Sequence, residues 1–310
     1  MPQSKKVLLI VNPIAGKRKM RSNIMDVLDA FSKHQYLTAT LTTTARGDAA
    51  EYVERYAAFF DLIVCGGGDG TLNEIISGLI KSRQRTPIAY IPVGTTNDMA
   101  RTLSLPRSVK KSTQVVLQGE PVAHDVGTFN ETQYFSYTAS FGAFTKVSYA
   151  TPQWLKRHFG HFAYVLDTFA SMGDLHPYHA KVTCEGFTTE DDFIFGSITN
   201  ATSVGGVLHF NRKDVCLNDG KFEVLLVRNP RNPLELRNIL HGLMHKKYDA
   251  RYVFFLHASQ IHLEFDKMTA WTVDGEFAGD TQTVDISNQQ GAVQIIRLSE
   301  KKSQEPYDSA

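Results

Sequence analysis

The sequence predicts an α/β plus β protein, with a doubly wound parallel-sheet unit followed by a largely antiparallel β unit. Three observations carry that expectation. Strand-like and helix-like segments alternate over the first 125 or so residues, the pattern of a parallel sheet covered on both faces. From about Tyr134 onward most apolar residues alternate at period two, the pattern of half-buried antiparallel strands. Glycine-containing turns follow the first, third and fourth predicted strands, and open α/β sheets bind ligands at that edge.

Each element follows from its spacing. Lys6–Val11 is a short apolar strand, and Ile24, Val27, Leu28 and Phe31 then recur at helical spacing. Leu37, Ala39 and Leu41 alternate with threonines, as in a strand with β-branched filling. Asp48 and Glu51 have capping-box spacing, ahead of a helix face of Tyr52, Val53, Tyr56, Ala57 and Phe60. Leu62–Cys65 is the third strand. Leu72, Ile75, Ile76, Leu79 and Ile80 make the next helix stripe, which Thr71 and Glu74 are spaced to cap from Thr71. Ile88–Val93 is the fourth strand, and a helix follows through Met99 and Leu103.

In the second half, Tyr134–Phe141, Ala180–Glu185, Phe193–Thr199, Phe222–Val227, Gln260–Phe265, Ala270–Val273 and Gln294–Leu298 read as strands. Two helices interrupt them, one near Trp154–Met172 and one after Pro233 to about His245. The expected organisation is a nucleotide domain over 1–125, a β-rich domain over 126–300 and a disordered polar tail over 301–310. The last strand or the tail could return to the first domain. The expected ligand site is the cleft between the domains.

Composition narrows the classes. The chain has 310 residues, 42% of them hydrophobic, enough for a sizeable core and for two domains. Its 33 basic and 32 acidic residues give a net charge of +1, which excludes a globally basic nucleic-acid binder. No apolar run approaches the roughly 18–20 residues of a membrane-spanning helix. Val7–Val11 is cut off by Asn12-Pro13 and is too short for the core of a signal peptide. Three scattered cysteines, Cys65, Cys184 and Cys216, give neither a disulfide framework nor a thiolate zinc spacing. The expected compartment is the cytoplasm.

The stretch Cys65–Glu74, CGGGDGTLNE, is the most informative. Consecutive glycines let backbone N–H groups approach an anion, and the following helix N-terminus adds partial positive charge. The plainer alternative is a tight turn that needs positive φ. Asp69 tips the balance, because a carboxylate beside phosphate is repulsive unless a metal ion or a transferred proton lies between them. The turns Asn12–Lys17 and Pro92–Asp98 reach the same sheet edge, so a nucleotide or phosphate site is predicted there. Neither GxxxxGK[ST] nor GxGxxG occurs, and the protein-kinase motifs are missing.

NPIAGK at Asn12–Lys17, GGDGTLNE at Gly67–Glu74 and PVGTTNDMAR at Pro92–Arg101 resemble the diacylglycerol kinase catalytic domain, whose group includes sphingosine and ceramide kinases. Lys146–Leu166, NDGKFEVLLV at Asn218–Val227 and VDGE at Val273–Glu276 look like the soluble bacterial diacylglycerol kinases. The resemblance implies that Asn12, Pro13, Ile14, Ala15 and Gly16 lie at ATP together with Thr43. It implies that Gly67, Gly68, Asp69, Gly70, Thr71, Leu72 and Asn73 cradle the phosphates and that Thr95 completes the site. It implies Mg2+ held by Asp219, with Cys216 and Lys221 contributing backbone carbonyls. The proton acceptor falls at Glu276 or Asp274. Asp69, Asp98 and Asp125 look like carboxylates that organise a second, water-mediated Mg2+. The implied reaction is ATP-dependent phosphorylation of diacylglycerol to phosphatidic acid by an enzyme peripheral to the inner membrane face, and a homodimer is plausible on analogy alone.

The residues alone leave other readings open. Asp-Gly is the commonest hairpin signal, so Asp219-Gly220 and Asp274-Gly275 each read first as turns. His241 and His245 have metal-ligand spacing but read as a solvated helix face. Lys17 could add positive charge at the phosphates, and Arg18, Lys19 and Arg21 could attract anionic headgroups. Trp154, Phe159, Phe162, Tyr164 and Phe169 suit either core or a lipid-facing surface. Another lipid alcohol could be the acceptor. A non-catalytic nucleotide- or lipid-binding regulator is the rival from another class, weakened by the presence of Asp69, Asp219 and Glu276 together.

Overall fold

The computed structural model describes residues 4–142, 176–204 and 208–298. The helix expected near Trp154–Met172 and the expected disordered tail lie outside them. The chain forms two compact units. One takes the chain up to His124 and again from Gly291, and the other is Asp125–Gln290. The β-rich domain expected over 126–300 therefore returns its last strand segment to the first unit.

The first unit is built on a parallel sheet. Its elements are β1 (Lys6–Val11), α1 (Lys19–Lys33), β2 (Leu37–Thr42), α2 (Asp48–Tyr56), β3 (Leu62–Gly67), α3 (Asp69–Ser82), β4 (Ile88–Pro92), α4 (Asp98–Thr102) and α5 (Val109–Gln118). Strand β1 pairs in parallel with β2 on one side and β3 on the other, and β3 pairs in parallel with β4. Strands β3 and β4 are buried along their whole length, as is β1 after Lys6. Burial on both faces is why they read as continuous apolar runs. Among the described residues β2 is the edge strand, and its threonines suit that largely exposed position. Met20, Val27 and Phe31 of α1 pack with Val7, Leu9, Val64 and Ile91 in the core. Helix α5 was not legible in the sequence; it buries Val109, Val115 and Val116.

The second unit is antiparallel. After β5 (Glu120–Phe129), which carries the chain into it, come β6 (Gln133–Phe135), β7 (Thr138–Gly142), β8 (Tyr178–Cys184), β9 (Phe187–Thr199), β10 (Ser203–Val204) and β11 (Leu208–His209). These are followed by β12 (Phe222–Arg228), α6 (Pro233–His245), β13 (Val253–Ala258), β14 (Gln260–Val273) and β15 (Glu276–Arg297). The pairings run β13-β12-β9-β7-β14-β15, with β8 bridging β9 and β14 at one end. Trp271 anchors the core, with ring centroids 5.0 Å from Phe141 and 5.3 Å from Phe129.

Helix α6 shows local chemistry agreeing with the fold. Asn232 Oδ1 accepts from Glu235 N–H at 2.9 Å, and Glu235 Oε2 accepts from Arg231 N–H at 2.8 Å, with Pro233 at the first turn. Leu236, Ile239 and Leu243 then face the core. Strand β15 leaves the second unit at Gln290, and its Ile295 pairs in parallel with Ile88 of β4. No helix among the described residues is long and apolar enough to cross a membrane.

Candidate active site

In the first unit the three glycine turns lie against one another. Gly16 sits at φ +52°, and a Cβ there would lie 1.5 Å from the Val93 carbonyl oxygen. A Cβ on Gly94 would lie 2.7 Å from the Gly68 Cα. No side chain fits at either point, so bare backbone from three strand ends is brought together. Side chains lock the arrangement. Asn12 Nδ2 donates to Thr71 Oγ1 at 3.2 Å, and Asn12 Oδ1 accepts from Ile14 N–H at 3.2 Å. Asn97 Nδ2 donates to the Gly94 carbonyl at 3.0 Å, while Tyr90 OH donates to Asn97 Oδ1 at 3.2 Å. Ile14 and Thr95 are exposed, whereas Leu72 is core and can offer only backbone. Thr43, buried next to the end of β2, donates its N–H to the Val11 carbonyl at 2.9 Å.

Asp69 has a defined local job. Its Oδ2 accepts from Asp98 N–H at 2.9 Å and its Oδ1 from Met99 N–H at 3.2 Å. The carboxylate therefore neutralises the N-terminus of α4 and draws buried Asp98 up beside it. That brings two of the three predicted carboxylates together. Helix α3 begins at Asp69 rather than Thr71, with no side-chain cap of its own. Glu74 does not cap α3; it accepts from Gly47 N–H at 3.0 Å and Ala49 N–H at 3.2 Å, at the start of α2. Likewise Asp48 and Glu51 form no capping pair. Asp48 Oδ2 takes the Thr44 and Ala45 amides, and Glu51 pairs with Arg55. For Glu74 tertiary partners outcompete the local spacing rule, whereas Asp48 and Glu51 are taken by other near neighbours in the chain.

In the second unit the two Asp-Gly turns differ. Asp274 and Gly275 sit at φ +48° and +80° and join β14 to β15 by a two-residue hairpin, Val273 pairing with Glu276. The Asp274 side chain is buried. It accepts from Ser136 N–H (2.7 Å), Ser136 Oγ–H (2.8 Å), Tyr137 N–H (3.0 Å) and Thr138 N–H (3.0 Å). Burial pushes its carboxyl up to about 6, against four donors that favour the charged form. Those donors also explain why the strand expected over Tyr134–Phe141 breaks into β6 and β7. Glu276, two residues on, is exposed.

The Asp219 turn is assembled from several strands. Asp125, fully buried, accepts from Gly220 N–H through Oδ2 at 2.7 Å, and its own N–H reaches the Leu217 carbonyl at 2.8 Å. Gln290 Nε2 donates to the Asn218 carbonyl at 3.2 Å, and Asp219 Oδ1 accepts from Lys221 N–H at 3.0 Å. Asn200 Nδ2 donates to the Asp125 carbonyl at 2.9 Å. Among the described residues no cluster of three His, Cys, Asp or Glu side chains stands ready for a metal. A cation here would need carbonyl oxygens besides Asp219, as hard oxygen-seeking ions accept. The donor set fits such an ion: two buried oxygens flanking the turn, Glu223 Oε2 and Asn200 Oδ1, have no hydrogen-bond partner. Sequence reasoning passed over Asn200 and Glu223. Glu223 falls at an inward strand position, where a charged residue was the one available signal.

His241 and His245 stack at 4.1 Å on the exposed side of α6, and His245 Nδ1 lies 2.9 Å from the His241 carbonyl. Among the described residues they join no metal cluster.

An α/β unit that brings glycine-containing turns from three strand ends to one sheet edge has the form in which backbone N–H groups can hold an anion. The diacylglycerol kinase catalytic domain family matches residues 6–129. A diacylglycerol kinase of Bacillus subtilis (strain 168) is 31% identical over 89% of this chain and 91% of its own length. One from Staphylococcus aureus (strain MRSA252) is 31% identical over 89% of this chain and 87% of its own. A crystal structure of a diacylglycerol kinase from Bacillus anthracis str. Sterne superposes with a TM-score of 0.72 at 25% identity, covering 96% of this chain and 98% of that one. A second structure from the same organism gives 0.80 at 27%, covering 96% of each. The chain belongs to the diacylglycerol kinase family and is a phosphotransferase.

Proposed function

We propose that the protein transfers the γ-phosphate of ATP to the free hydroxyl of diacylglycerol, giving phosphatidic acid. The observation that carries this is the extent of the likeness: relatives named diacylglycerol kinase align over 89% of the chain, through both units. The turns at Asn12–Gly16, Gly67–Asn73 and Thr95 hold the triphosphate through backbone N–H groups, since phosphoryl transfer asks mainly for alignment and charge neutralisation. Thr43 lies at the nucleotide as well. Mg2+, when bound by Asp219 with the Cys216 and Lys221 carbonyls, would supply positive charge. Asp69 and Asp98, joined through the Asp98 amide, would supply carboxylates to the water around a second Mg2+.

Glu276 is the proton acceptor. It is exposed and can meet a lipid hydroxyl, whereas both oxygens of Asp274 are taken by four donors. Asp274 is a positioning residue that fixes the hairpin carrying Glu276. Phe277, beside Glu276, is 60% exposed and offers an apolar contact for an acyl chain at the membrane surface. The enzyme works there as a peripheral protein of the cytoplasmic face.

The test is transfer of label from ATP, with Mg2+, to diacylglycerol, ceramide or sphingosine presented separately in mixed micelles. Label in phosphatidic acid supports the proposal. Label in another lipid keeps the mechanism and changes the acceptor. ATP binding with no label in any lipid refutes it.

A further inference from the structure

Glu223 is a buried carboxylate that the reaction above does not use. It lies on β12, paired with Thr199 of β9 and His257 of β13, two residues beyond Lys221. It is 1% exposed, and its Oε2 has no hydrogen-bond partner. Its Oε1 lies 3.9 Å from His257 Nε2, which is itself 2.9 Å from the Asp214 carbonyl. A second unpartnered oxygen belongs to the next residue on the neighbouring strand. Asn200 follows Thr199, its Nδ2 is committed to the Asp125 and Leu217 carbonyls, and its Oδ1 has no donor. Buried acceptors are almost always satisfied in native proteins. Two unsatisfied ones beside a turn with an outward carboxylate are the arrangement a hydrated cation completes.

We propose that Glu223 is a positioning residue for the cation at the Asp219 turn, its Oε2 accepting a hydrogen bond from water in the ion's coordination sphere. The inference rests on the metal role proposed above for Asp219. Mg2+ gives up its waters reluctantly and is usually bound through one or two carboxylates with several waters retained. Asp219 supplies the direct carboxylate from the exposed side, and Glu223 meets the hydration shell from the buried side. Outer-shell partners of this kind typically alter metal affinity by 10–100-fold.

The experiment measures Mg2+ affinity by the metal-dependent rise in Tm, and independently by displacement of Tb3+ luminescence, without lipid or ATP. Wild type, Asp219→Asn and Glu223→Gln are compared. The expected result is that Glu223→Gln matches or exceeds wild type in metal-free Tm and binds Mg2+ at least tenfold more weakly. A Glu223→Gln protein that binds Mg2+ like wild type while Asp219→Asn does not would overturn this inference alone. Equal Mg2+ binding by all three proteins, or none by wild type, would remove the metal role of Asp219 and this inference with it. Failure of Glu223→Gln to fold without metal would also overturn the inference, because an amide of the same shape removes a buried carboxylate oxygen that has no donor there.

Discussion

The two Asp-Gly turns of the second unit share a dipeptide and differ in almost everything else. At Asp274-Gly275 the aspartate turns inward, takes four donors from Ser136–Thr138 and seals a hairpin. At Asp219-Gly220 the aspartate is exposed and accepts from Lys221 N–H, and the turn is held by its neighbours Asp125, Asn200 and Gln290. The first is a structural aspartate in the hairpin that carries Glu276; the second leaves its carboxylate exposed. What separates them is which donors the flanking strands bring, which the dipeptide does not encode.

The sharpest break in that comparison lies between Glu276 and Asp274. Glu276→Gln should lower kcat by about 10²–10⁴-fold, the usual contribution of a positioned base, with Tm unchanged. Asp69→Ala should also abolish measurable lipid phosphorylation and, in addition, cost about 1 kcal/mol in urea unfolding through the uncapped α4. Asp274→Asn should act on the fold. An amide cannot accept from all four donors, and leaving buried groups unpaired costs about 1–3 kcal/mol, read as a lower urea midpoint at unchanged slope. A fully stable but inactive Asp274→Asn would reverse the roles assigned to the two carboxylates. Ser136→Ala removes one hydroxyl donor and should cost about 1 kcal/mol by the same measurement. His241→Ala lies on an exposed face and should change neither Mg2+ affinity nor stability beyond about 0.5 kcal/mol.

Much of the first unit was legible because its strands are buried on both faces and its turns demand glycine. The βαβ pattern, the stripes of α1 and α3, and the meeting of the Gly16, Gly68 and Gly94 turns all follow from local sequence. The second unit was legible as strands but not as pairings. Strand β13 was missed because Val253–Ala258 is half-exposed along its middle, and β6–β7 was read as one strand because Asp274 lies 138 residues from Ser136. The capping signal at Thr71 failed for the same reason, whereas Asp48 was taken by its near neighbours Thr44 and Ala45. Their side chains, and that of Glu74, found partners that sequence spacing does not rank. The candidate carboxylates could be named from motifs, but the division of labour between Asp274 and Glu276 needed burial and hydrogen bonds. Glu223 and Asn200 carried no motif at all.

The most direct measurement of the central claim is a single-turnover comparison of wild type and Glu276→Gln with labelled ATP, Mg2+ and diacylglycerol micelles. ATP affinity and urea unfolding would be followed on the same samples. The account predicts equal ATP binding, superimposable unfolding and at least a hundredfold slower appearance of phosphatidic acid in Glu276→Gln. Transfer at the wild-type rate by that variant would contradict it.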